Sequence, residues 1–279
     1  MLIFGTIGIF RKFIPLSSGL LAFTRGILGS LFLLLIVLLR RQHLQKIERK
    51  KFGLLALSGA LMGLNWIALF EAYNYTTVAT ATLCYYMQPT IVILLSPLLF
   101  KEKLTPRRLF CAAAAVVGMV FISGPVGGAS RDLTGILLGL LAAVLYATVV
   151  IMNKKLPTQD AYSRTILQLF SAAVVLIPYL LLTRDWSALS LDGTAVAMVL
   201  VVGLVHTGLA YTLYFSGMQH MRAQSVAVLG YIDPLFALLL SAAVLHEKLT
   251  VLGIVGSVLI VGSALVSEIN FSKKEVKKT

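Results

Sequence analysis

Arg25 and Asp233 are charges set inside long apolar runs. A charge at the centre of a membrane helix costs about 2.5–3.5 kcal/mol on insertion scales, so each needs a reason. Both have a counterpart elsewhere in the chain. Arg25 aligns with Gln168 at an offset of 143 residues, and Asp233 aligns with Gln88 at an offset of 145. Each half thus offers one charge and one amide. We expect Arg25 and Asp233 to face a shared polar interior, either paired or bridged by a bound small molecule. The structural alternative is that Arg25 snorkels to an interface and Asp233 is a protonated, satisfied acid.

Gln88 and Asp233 immediately precede Pro89 and Pro234. A proline inside a helix removes a hydrogen bond and frees a carbonyl, so both sites predict a kink. Tyr85, Tyr86 and Tyr231 lie beside these prolines, and aromatic faces there suit apolar or cationic ligands. His206 stands mid-span with Tyr211 beyond it, and Asn65 and Trp66 occupy the corresponding region of an earlier span. A mid-membrane His can relay protons near neutral pH; the alternative is a histidine that hydrogen-bonds a neighbour. Glu71 falls near a span end, where solvation explains it. Glu102 and Glu247 fall at membrane edges and are expected to serve their turns.

The elements that position these residues follow from a duplication. Tyr86-Met87-Gln88-Pro89 through Glu102-Lys103-Leu104-Thr105 repeats as Tyr231-Ile232-Asp233-Pro234 through Glu247-Lys248-Leu249-Thr250. The offset is 145 without a gap, and nine of twenty positions are identical. The composition is 58% hydrophobic and 13% charged, with a mean hydropathy of +0.92. Apolar runs recur with short polar breaks, which predicts an all-α integral membrane protein. Ten spans are expected: Met1–Ile14, Ser18–Leu39, Phe52–Tyr73, Thr76–Phe100, Arg107–Ser123, Leu133–Met152, Ser163–Thr183, Gly193–Met218, Ala223–His246 and Val251–Ser267. Thr105-Pro106 suits a helix start, with Thr as cap and Pro at the first position. Gly59 with Gly63, and Gly135 with Gly139, are small-residue pairs suited to close helix packing.

The net charge of +13 does not indicate nucleic acid, because the basic residues cluster in loops and in the tail. With a cytoplasmic N-terminus, 18 Lys and Arg face inward and five face outward. Both termini are therefore expected in the cytoplasm, with 269–279 a basic tail. Five spans per repeat, an odd number, insert the second copy upside down. The domains are then 1–124 and 133–268, two inverted five-helix repeats. Such repeats are the signature of alternating-access carriers with a site at their interface. Phe4-Gly5-Thr6 through Lys12 matches Tyr146-Ala147-Thr148 through Lys154 at offset 142, which predicts a first helix that begins upstream of Met1.

The sequence resembles the EamA-type, ten-helix, two-repeat permeases of the drug/metabolite transporter superfamily. The resemblance is carried by Phe4-Gly5-Thr6 with Lys12, Ala22-Phe23-Thr24-Arg25, and Pro89 and Pro234 with their Glu-Lys-Leu-Thr turns. It implies a carrier of small metabolites such as amino acids, amines or organic acids, often an exporter, with a central cavity between the repeats. The expected partners are a small-molecule substrate, the bilayer of the cell membrane and protons as the coupling ion. Other function classes have less support. His246-Glu247 opens like a zinc-protease motif, but position 250 is Thr. Phosphate loops, dinucleotide fingerprints and nucleophile elbows are missing, so no cofactor, metal site or catalytic residue is expected. Cys84 and Cys111 read as buried free thiols. A membrane-embedded enzyme would need His206, Asp233 and Glu71 to converge, and a transport-inactive sensor or scaffold would need a sealed interior.

Overall fold

The computed structural model describes residues 2–44, 46–100, 105–123, 130–154, 161–183, 192–210, 213, 232–247 and 250–268. Every regular element among them is helical. The helices are α1 (Leu2–Gly5), α2 (Ile7–Phe13), α3 (Ser18–Leu39), α4 (Arg49–Tyr75), α5 (Val78–Tyr85) and α6 (Gln88–Phe100). They continue with α7 (Pro106–Ser123), α8 (Ser130–Lys154), α9 (Ala161–Thr183) and α10 (Gly193–Leu200). A π-helical segment (Val201–Leu209) extends α10, and α11 (Ile232–Val244) and α12 (Val251–Glu268) complete the set.

Four stretches are long and apolar enough to cross a membrane: Ser18–Leu39, Arg49–Tyr75, Asp132–Asn153 and Tyr162–Thr183. Shorter apolar helices cover Leu109–Phe121, Gly193–Leu209, Asp233–Val244 and Val251–Ser263. Large apolar side chains point outward, including Leu182 at 84% and Leu98 at 80% exposure. Lipid is the solvent that accommodates such a surface without cost. The chain is an all-α membrane protein.

Several expected spans are not single helices. Met1–Ile14 forms two short helices on either side of Thr6. Thr76–Phe100 divides at Tyr86–Met87 into α5 and α6, as the kink expected at Pro89 requires. Pro89 falls in the first turn of α6, where its missing N–H removes no intrahelical bond. The expected Gly193–Met218 helix leaves α geometry at Val201. Within the expected Ala223–His246 span, a helix is formed over Ile232–Val244, and 223–231 lie outside the described residues. Asp233 stands in the first described turn of α11.

Local chemistry sets the boundaries. The Ser17 hydroxyl accepts from the Leu20 N–H at 3.1 Å to start α3, and Asp192 accepts from Ala195 at 2.7 Å to start α10. Pro106 opens α7 directly after Thr105. Thr250 accepts from the Gly253 N–H at 3.0 Å at the head of α12. The expected small-residue contacts form. A Cβ on Gly59 would stand 2.4 Å from the Gln168 carbonyl oxygen, and one on Gly63 would stand 2.8 Å from that of Ala172. Gly135 and Gly139 admit Thr76 and Cys84 in the same way, at 2.6 and 2.8 Å. The core lies where α3, α4, α8, α9 and the π segment meet, around Leu33, Phe70, Ala142, Leu169 and Val202.

Candidate functional site

Arg25 is 6% exposed and points inward from α3. Its Nε donates to Thr207 Oγ1 at 2.8 Å, and its guanidinium lies 4.3 Å from the Trp66 ring centroid and 5.8 Å from that of Phe70. A hydrogen bond and an aromatic face offset part of the cost of burying the charge. The π segment supplies the partner. Its wider winding brings the Thr207 hydroxyl to the Val202 carbonyl five residues back, at 3.1 Å. Gly29 makes room, since a Cβ there would stand 2.4 Å from the Thr207 methyl.

His206 is buried on the same segment, its ring 4.8 Å from that of Phe10. Its Nε2 lies 2.6 Å from Thr6 Oγ1, and Thr6 donates to the Ile3 carbonyl at 2.8 Å. The other ring nitrogen, Nδ1, lies 3.4 Å from the Val201 carbonyl oxygen, so the ring sits between two oxygens. His206 therefore has the neighbour that the structural alternative requires. One residue before Thr6, Gly5 packs on α11: a Cβ at Gly5 would stand 2.8 Å from the Asp233 carbonyl oxygen and 3.3 Å from Asp233 Oδ1. Asp233 Oδ2 accepts from the Tyr86 hydroxyl at the α5–α6 break. Tyr85 packs against both Tyr86 and Tyr146, with centroids 5.6 Å apart in each case.

The structure thus strings Trp66, Arg25, Thr207, His206, Thr6, Gly5, Asp233, Tyr86 and Tyr85 along one chain of buried and half-buried neighbours. Of the two arrangements open for Arg25 and Asp233, direct pairing is not the one formed. Among the described residues, each charge has a hydroxyl as a hydrogen-bond partner. Gln88 opens α6 beside Tyr86 and Met87, and its buried Oε1 has no hydrogen-bond partner among the described residues. Asn65 is drawn away to α8, where its Nδ2 donates to the Ala142 carbonyl at 2.6 Å. Tyr211 and Tyr231 lie outside the described residues, as does Glu102. Pro234 lies in the first turn of α11.

A second polar cluster was missed from sequence. Arg11, one of the five Lys and Arg counted as outward-facing, is a buried helical residue. Its guanidinium donates to the Ile14 carbonyl and to Ser18 Oγ, both at 3.2 Å, and to Asn74 Oδ1 at 3.4 Å. Ser18 and Asn74 in turn donate to Glu71 Oε2 at 2.7 and 3.2 Å. Glu71 is therefore held in a network rather than simply solvated, and it shares no partner with His206 or Asp233. Lys12 Nζ donates to the Tyr73 carbonyl close by. The only sequence signal for this cluster was an Arg that follows an apolar run in helical register. Thr6 and Thr207 were also missed, although each adjoins a residue already singled out.

The EamA-like transporter family matches residues 1–124 and 133–268. The chain is similar to the uncharacterized transporter YxxF of Bacillus subtilis, 29% identical over 244 residues, covering 86% of this chain and 78% of the relative. Protein PecM of Dickeya dadantii is 29% identical over 212 residues, or 75% and 71% of the two chains. An uncharacterized transporter of Archaeoglobus fulgidus is 27% identical over 266 residues, or 94% and 91%. One solved crystal structure matches with a TM-score of 0.69 across 95% of this chain and 93% of its own, at 21% identity, which is a likeness of fold. The chain belongs to the EamA-like transporter family.

Proposed function

We propose that this membrane transporter is a secondary carrier that alternates access around the buried chain from Trp66 to Tyr85, and that it is not an enzyme. The observation that carries this reading is the treatment of its two interior charges. Arg25 and Asp233 come from different halves of the chain, and each is held by a neutral hydroxyl instead of by the other. A substrate can displace a hydroxyl at less cost than it can break a buried ion pair. The unpartnered Gln88 Oε1 offers a further acceptor to a substrate N–H. Amino acids, amines and organic acids all fit groups of this kind.

The two-repeat reading has support in matched contacts. Arg25 on α3 reaches Thr207 in the second half, and its counterpart Gln168 on α9 reaches Ser58 in the first. Residues 1–124 and 133–268 are then inverted five-helix repeats rocking about the site. Protons are the proposed coupling ion and export the proposed direction, with both termini in the cytoplasm and the protein in the cell membrane. The test is counterflow in liposomes with labelled amino acids, amines and organic acids, with and without a pH gradient, on the wild type, Asp233→Asn and Arg25→Gln. Transport is expected in the wild type and loss in both variants. Normal flux in both variants would remove the site from the mechanism.

A further inference from the structure

Glu247 takes no part in the chain of contacts around Arg25 and Asp233, yet its carboxylate joins distant parts of the sequence. It follows α11 in a turn where His246 adopts a left-handed backbone with φ 52°. From there Oε1 accepts from the Val78 N–H at 3.0 Å and Oε2 from the Ala79 N–H at 3.4 Å, and the Ser241 hydroxyl also donates to Oε2. The two N–H groups are unpaired donors of the first turn of α5, and the negative charge suits that end of the helix dipole. Thr77 already supplies the ordinary cap, accepting from the Thr80 N–H at 3.0 Å. Glu247 is therefore not needed to start α5. It adds a tie from α5 to the end of α11.

At its other end α5 is tied to the same helix again, because Tyr86 donates to Asp233. α5 has eight residues and stops at the Tyr86–Met87 break, so it is a short separate piece held at both ends by acids of the opposite half. The end held by Asp233 belongs to the transport site; the end held by Glu247 does not. It lies instead where α2, α4 and α5 meet: a Cβ on Gly8 would stand 2.4 Å from the Val78 side chain and 3.4 Å from the Tyr73 ring.

We propose that Glu247 is a positioning residue of transport: it latches the start of α5 to the end of α11, holds this end of the seam between the halves shut, and lets go when the halves reorient. The proposal rests on the carrier reading above, since a latch between halves acts only if the halves move. Charge-assisted bonds to two adjacent N–H groups are lost together when α5 shifts along α11, which makes the contact switch-like.

Cys84, buried within α5, is a built-in reporter. The experiment measures maleimide labelling of Cys84 in the detergent-purified full chain, in a Cys111→Ser background, together with counterflow. Glu247→Gln keeps the size and removes the charge. It is expected to raise the labelling rate roughly tenfold and to change Vmax while KM stays within about twofold. Ser241→Ala should give a smaller rise of the same sign. Thr77→Ala removes the ordinary cap of the same turn without touching α11, and should stay within about twofold of wild type. Equal rises in Thr77→Ala and Glu247→Gln would reduce Glu247 to a simple cap and overturn the proposal. Unchanged labelling in Glu247→Gln with intact counterflow overturns the latch and leaves the carrier standing. Raised labelling in a protein whose wild type moves none of the substrates overturns the carrier reading and, with it, any role of Glu247 in transport.

Discussion

Arg25 and Gln168 occupy matching places in the two halves, and each crosses to the other half with a 2.8 Å hydrogen bond, to Thr207 and to Ser58. Beyond that bond the two seams differ. The guanidinium of Arg25 lies on the Trp66 ring, whereas Gln168 makes a second 2.8 Å bond to Asn153 nearby in sequence. The glycines differ too. Beside Arg25, the space left by Gly29 is filled by a threonine methyl; beside Gln168, the space left by Gly59 is filled by the backbone of α9, with the Gln168 Cα only 2.8 Å from a Cβ built there. One seam is charged and made of side chains that can turn. The other is neutral and set by main chain that cannot. Of these two crossing contacts, one is suited to chemistry and the other to holding helices in register.

That division can be broken by making the seams alike. Arg25→Gln gives the first seam the chemistry of the second, and counterflow is expected to fall by about tenfold or more, a barrier change of roughly 1.4 kcal/mol. Size-exclusion behaviour should be unchanged, and retained flux would mean that the charge is ornamental. Gly59→Ala attacks the fixed seam. It is expected to cost near the top of the roughly 1–3 kcal/mol typical of overpacking, read as a lower melting temperature in detergent. Gly29→Ala should fall near the bottom of that range, because Thr207 can rotate away, but rotation releases Arg25 and so lowers flux more than stability. If the two alanines cost the same, the distinction between movable and fixed seams fails. The smallest effect is expected from Ser58→Ala, about 1 kcal/mol of stability with KM unaltered.

Much of this was legible in the sequence, because the features concerned are local or periodic. Apolar runs gave the membrane helices, Pro89 gave the α5–α6 break, and glycines at four-residue spacing gave the tight seams on α9 and α5. Arg25 and Asp233 were visible as charges out of place. What escaped notice depends on residues far apart in the chain. Glu247 meets Val78 across 169 positions, and nothing near either residue announces the other. Arg11 stands close to the end of an apolar run, where loop and buried helix read alike; only the placement of Ser18 and Asn74 decides between them. The winding of Val201–Leu209 was missed because α- and π-helices draw on the same apolar residues and differ only in which carbonyl each N–H chooses.

That winding makes the chain more sensitive to length than to identity. Between Val201 and Leu209 each backbone hydrogen bond spans one residue more than in an α-helix. Deleting a single residue there would shift the register of the residues after the cut, by at most the ~100° that one α-helical residue turns. His206 and Thr207 would no longer look toward α1 and α3. Single-residue indels in this short stretch should be purged where many of its point changes survive.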